Sequence, residues 1–270
     1  MRHPPSPTAC AAALGSTLAA TTATAFALAV RRDMRRARRA ARLEPPVTRI
    51  DVRVDPPGIA SSAYPIRLAA LGDSSVAGVG AEGLYGCLAV QIAARVAAAT
   101  RQPVHVRGYG VSGARTADVT TMQVQALDVA DPPDAIVVVV GTNDVAHATP
   151  PWRYIRDVAR LHRSLRERLG AAIVYCSLPE FRAITVISGP LRVLAVGYGR
   201  LLGGLQRRTL AARSGAWWVD ARREAGPAFL RRPDAMSADR YHPSALGYAL
   251  LADTLAPAVV AALASRRGRP

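Results

Sequence analysis

The chain has 270 residues, half of them apolar and only 5% aromatic, so it carries enough material for a substantial core and is not a disordered polymer. Its formal charge of +16 comes from 35 basic residues, all Arg; residues 1–42 hold eight Arg and one Asp, leaving +9 spread over the remainder. With no stacking aromatics among those Arg and no recognisable binding module, nucleic acid is not the expected partner, and the scattered Cys10, Cys87 and Cys176 suggest neither a disulfide framework nor a zinc site.

From Cys10 to Val30 no residue is charged, a run long enough to cross a bilayer as a helix. It reads either as a cleavable signal, with Ala27-Leu28-Ala29 as the small-x-small site, or as a retained anchor. The Arg cluster from Arg31 to Arg42 favours the anchor, with the following domain on the cytoplasmic side; secretion is the rival. Residues 1–42 are thus expected to be membrane-directed, and residues 43–63, rich in Pro and Gly, to be a linker.

From residue 64 the rhythm is strand, turn, helix. Ile66–Leu71 reads as a strand, Leu84–Thr100 as a helix and Val104–Val106 as a short strand. A helix is expected around Ala117–Ala130, broken by Asp131-Pro132-Pro133-Asp134. The β-branched run Ala135–Val140 has the composition of a strand buried on both faces. Trp152–Leu169 reads as an Arg-studded amphipathic helix, Ala172–Ser177 as a strand, Leu191–Arg213 as a helix, Ala216–Val219 as a strand and Ser244–Ala264 as the closing helix, with 265–270 a basic tail. Alternation of this kind implies a three-layer α/β/α domain around a five-stranded parallel sheet. If the strand order is 2-1-3-4-5, ligands bind where it reverses, between the strands that Ser74 and Asn143 follow.

Four polar signatures follow apolar runs, and together they meet the needs of acyl transfer by serine: a nucleophile, a base, an orienter for the base, and donors for the developing oxyanion. Ser74 is the candidate nucleophile, His242 the base, and Asp239, three residues earlier, the group that fixes its tautomer. The backbone N–H groups of Ser74 and Gly113 and the side-chain amide of Asn143 are the candidate oxyanion donors. Asp144 is either a support for the Asn143 turn or a helix N-cap. His105, His147 and His162 read as structural, and Trp217 and Trp218 as packing residues on the two sides of their strand.

Gly72-Asp73-Ser74, the Gly113 turn, Gly141-Thr142-Asn143-Asp144 and Asp239-Arg240-Tyr241-His242-Pro243 together resemble the four blocks of the SGNH (GDSL) hydrolases, in family order, within a domain over 64–264. The resemblance implies a flavodoxin-like fold, no metal or organic cofactor, and hydrolysis of esters through an acyl-enzyme. On it, Ser74, Asp239 and His242 are the catalytic residues and Ser74, Gly113 and Asn143 the oxyanion hole. The expected partner is a small-molecule or lipid ester. A thioesterase or lysophospholipase of the same fold, or a catalytically silent acyl-binding module, are the alternatives; a flavin module fits poorly, because Asp73 stands where a phosphate needs donors. One departure is Gly108, where relatives often carry Asn. The apolar stretch Ile184–Leu205 reads either as a helix packed on the sheet or as the wall of an acyl pocket, with Leu194 and Leu202 as its testable members.

Overall fold

A computed structural model describes residues 49–58, 63–187 and 189–267, and six positions between 25 and 35. Cys10, most of the uncharged run 10–30 and most of the Arg cluster therefore lie outside the described residues.

Six strands form one sheet in the order β1-β3-β2-β4-β5-β6. These are β1 (Ile50–Val54), β2 (Ile66–Gly72), β3 (Val104–Gly108), β4 (Ala135–Val139), β5 (Ala172–Cys176) and β6 (Ala216–Val219). The five strands from β2 to β6 are parallel and follow the expected order, but the five-strand count is corrected by β1, which adds antiparallel to the edge strand β3. β1 falls inside the span read as a linker. Its sequence, Ile50-Asp51-Val52-Arg53-Val54, alternates apolar and charged residues as a half-exposed edge strand does, a short period set among the prolines that give the span its linker composition. Ile50 is buried opposite Gly108, where a side chain on Gly108 would press on the Ile50 Cβ at 2.9 Å; the Gly at this position makes room for the added strand. His105 Nε2 lies 2.6 Å from Asp51 Oδ1 and ties the same two strands, the structural role expected of it.

Residues of the central strands alternate between two apolar layers. Leu68, Ala70, Val137, Val174 and Cys176 face one, with helices α1 (Leu88–Thr100) and α4 (Ala245–Arg267). Ala69, Leu71, Ile136, Val138, Ile173 and Tyr175 face the other, with α2 (Pro151–Leu169) and α3 (Gly189–Ala211). Burial on both faces explains why these strands read as continuous apolar runs. α2 starts at a proline at its first position and stops at Gly170 (φ 58°), the start and stop chemistry its sequence carries. By composition α4 is long and apolar enough to cross a membrane, yet Tyr248, Ala252, Leu255, Ala256 and Val259 on it are buried in the core.

The helix expected over Ala117–Ala130 is corrected. Thr116–Asp118 makes a single α-turn, Val119–Gln123 a π-turn, and the chain then runs in turns. Gln123 is the physical reason: its side-chain amide is drawn inward to pair with the backbone of Gly72, and one wide turn places it there.

Candidate active site

Ser74 sits just past the end of β2, and three interactions hold its turn. Gly72 abuts the Val139 carbonyl so closely that any side chain would collide with it. Asp73 N–H donates to the same Val139 oxygen at 3.2 Å, stitching the turn to β4. Gln123 brackets Gly72 from the other side, Nε2 donating to its carbonyl at 2.7 Å and Oε1 accepting its N–H at 2.8 Å. Sequence reading missed Gln123; a lone amide in a predicted helix carries no signal until its partner is known. Asp73 is buried, with Oδ1 accepting the Ser75 N–H at 3.0 Å, and burial pushes its carboxyl up to about 6.

The turn Asp239–His242 brings the expected base and orienter to Ser74. His242 Nε2 lies 2.9 Å from Ser74 Oγ, and His242 Nδ1 lies 2.5 Å from Asp239 Oδ2. The other carboxylate oxygen of Asp239 accepts from Ser237 Oγ at 2.7 Å and from the N–H groups of Tyr241 and His242 at 2.8 and 2.9 Å. Burial works against this charge, but the bonds and charge of His242 with the two backbone donors outweigh it and hold the carboxyl at about 2. Arg240, inside the turn, takes a left-handed φ of 56°, strain of order 1 kcal/mol or more that the surrounding bonds hold in place. Ser237 is a second residue that sequence reading missed.

Asn143 lies in the short helix Thr142–Ala146 directly after β4 and is buried. Its Nδ2 donates one hydrogen to the Ala114 carbonyl at 3.0 Å, which fixes the amide and leaves its second hydrogen to point elsewhere. Gly113 has a left-handed φ of 87°, in a turn closed by Ala114 N–H on Val111 O. Among the described residues, the N–H groups of Ser74 and Gly113 donate to no protein acceptor. Asp144 is not the N-cap, a place Gly141 takes. Its Oδ2 instead accepts from both the N–H and the hydroxyl of Thr116 at 2.9 Å, strapping the loop after β3 to the loop after β4.

A mainly apolar pocket with a cavity volume of about 80 Å³ opens beside Ser74 and His242. Val140, Leu178, Ile184, Phe229 and Met236 are among its walls. Among the described residues of the apolar stretch after β5 only Ile184 reaches it: Leu202 is buried against the sheet and Leu194 faces outward, so α3 is a packed helix and the acyl-wall expectation for those two residues is corrected. His162 is a core residue, with Nδ1 3.3 Å from Tyr175 Oη and Nε2 3.1 Å from Ser214 O; His147 Nδ1 lies 2.8 Å from the Asn143 carbonyl. Trp218 packs with its indole N–H on Gln206, whereas Trp217 is partly exposed. Cys87 and Cys176 are buried free thiols, and no cluster of metal-ligating side chains occurs among the described residues.

Fold and site define a class: a three-layer α/β/α protein with serine, histidine and aspartate in hydrogen-bonded series at the carboxyl edge of its parallel strands. The chain belongs to the GDSL-like lipase/acylhydrolase family, whose profile matches residues 70–250. The GDSL-like esterase Rv1075c of Mycobacterium tuberculosis is 33% identical over 208 residues, a match covering 77% of this chain and 66% of that protein. Among solved structures, LAE5, an α/β hydrolase from the metagenome of Lake Arreo in Spain, aligns with a TM-score of 0.56 at 21% identity, covering 76% of this chain and 97% of that one. The acetylxylan esterase Axe2 of Geobacillus stearothermophilus aligns at 0.53 with 21% identity, covering 73% and 93%. At these identities the two structures speak for the fold.

Proposed function

We propose that this protein hydrolyses carboxylic esters through an acyl-enzyme on Ser74. The observation that carries the reading is the unbroken series Ser74 Oγ, His242, Asp239, with separations of 2.9 and 2.5 Å, at the mouth of an apolar pocket. His242 takes the Ser74 proton as Oγ attacks the ester carbonyl, and Asp239, ionised, stabilises the imidazolium that forms. The oxyanion is received by the N–H groups of Ser74 and Gly113 and the free amide hydrogen of Asn143. His242 then protonates the departing alcohol, and water repeats the sequence to release the acid.

The pocket beside Ser74 takes the acyl group. At about 80 Å³ it lies well below the roughly 300–1,000 Å³ of clefts that take drug-sized ligands, which suits a short chain of a few carbons. Axe2, whose name describes an acetyl ester as substrate, supports the same size class. The uncharged run 10–30 anchors the chain to a membrane, with the domain over 64–264 on the cytoplasmic side; export is the rival.

A fluorophosphonate probe tests the chemistry. The parent should be labelled at Ser74, located by mass spectrometry, and Ser74→Ala should not be labelled. A folded protein that takes up no probe would favour the silent acyl-binding module instead.

A further inference from the structure

We propose that the outward face of α2 and α3 is a docking surface for an anionic lipid bilayer. The +9 outside residues 1–42 is not spread evenly once the chain folds. α2 and α3 together carry ten Arg against Asp157 and Glu167, a net +8, while α1 and α4 on the opposite face of the sheet carry three Arg against Asp253, a net +2. All six Arg of α2 are exposed, and Arg153, Arg156, Arg160 and Arg163 recur at helical spacing to form a stripe.

Charge alone would suit any polyanion. The second observation is that the same face exposes large apolar side chains: Trp152 is 65% exposed, Val193 72%, Leu194 54% and Leu201 48%. Phosphates gain nothing from these groups, whereas a bilayer takes the apolar groups below its headgroups and the Arg among them. Trp152 lies in the first turn of α2 and Val193-Leu194 in the second turn of α3. Helices that follow parallel strands begin at the carboxyl edge of the sheet, the edge that carries Ser74, so docking brings the pocket toward the membrane. The inference rests on neither the hydrolytic reading nor residues 10–30.

A polarity-sensitive fluorophore tests this in the full-length chain, with Cys10→Ser removing the one cysteine outside the buried pair. The label is placed by Leu194→Cys or, as control, by Ala98→Cys on the exposed side of α1. With vesicles of phosphatidylcholine mixed with phosphatidylglycerol, emission from the label at 194 should shift to the blue while that at 98 does not; vesicles of phosphatidylcholine alone should have little effect. Replacing Arg156, Arg160 and Arg163 by Gln should weaken the titration by on the order of 100-fold, and replacement by Lys should preserve it. Hydrolysis of a water-soluble ester should stay unchanged in both variants, showing that they fold. A label at 194 that ignores anionic vesicles, responds no more than that at 98, responds only to nucleic acid, or is indifferent to the Gln changes overturns the proposal.

Discussion

Asp73 is the residue of the Ser74 turn whose chemistry works against the fold. Its carboxyl is ordinary in the unfolded chain and rises to about 6 when buried, so the native state binds a proton that the unfolded state does not between about pH 4 and 6. Stability from this group therefore falls as pH rises through that window, leaving a penalty on the order of 2–3 kcal/mol above it. Asp73→Asn keeps the acceptor for Ser75 N–H and should raise stability at pH 8 by on the order of 1–3 kcal/mol in urea unfolding, with little gain at pH 4; equal stability of the two proteins at pH 8 would mean the charge is not penalised. Asp239 has the opposite sign: its carboxyl is held at about 2, so its contribution is intact above about pH 4 and lost as pH falls toward 2. On the proposed mechanism, Asn143→Ala should lower kcat by about 10²–10³ with a smaller change in KM, the usual consequence of losing one oxyanion donor. The two readings at this scale differ in legibility. Asp239 and His242 are three residues apart, so local sequence displays the pair, whereas the Gln123 bonds to Gly72 span 51 residues and nothing local announces them.

At the scale of elements, the site depends on straps between loops that leave successive strands. Thr116 gives two hydrogen bonds to the buried Asp144 carboxylate, joining the loop after β3 to the one after β4. Thr116→Val removes the hydroxyl at nearly constant volume and should cost about 1–3 kcal/mol, the range for leaving a buried charged acceptor short of a partner. Gln123→Ala leaves the N–H of Gly72 unpaired beside Ser74, while its C=O keeps the Val111 N–H, and should cost about 1–3 kcal/mol by chemical denaturation. Pocket size is also an element-scale property, because the segments after β5 and β6 close it. Phe229→Ala should raise kcat/KM for longer acyl chains relative to acetyl; an unchanged chain-length profile would show that the acyl group lies elsewhere.

For the whole molecule, the organising asymmetry is electrostatic. Two faces of one sheet carry helix pairs of +8 and +2, and only the first exposes Trp152, Val193, Leu194 and Leu201 as well. Attraction between exposed Arg and a charged surface is screened within about 8 Å at physiological ionic strength and about 3 Å at 1 M. Vesicle association through this face should therefore weaken steeply with salt, while the apolar contribution persists; co-sedimentation across a salt series separates the two.

The sequence by itself determined the parallel core and picked out Ser74, Asn143, Asp239 and His242 as candidates, because both rest on short-range patterns: apolar runs buried on both faces, and polar residues set just after them. Tertiary structure alone decided that Ile50–Val54 joins the sheet, that Gln123 and Thr116 hold the site's loops, that Leu194 looks away from the pocket, and that the Arg excess gathers on one side. The physical reason is common to all four. Each depends on which distant segment packs against which face, and a one-dimensional pattern records a residue's period but not its neighbour.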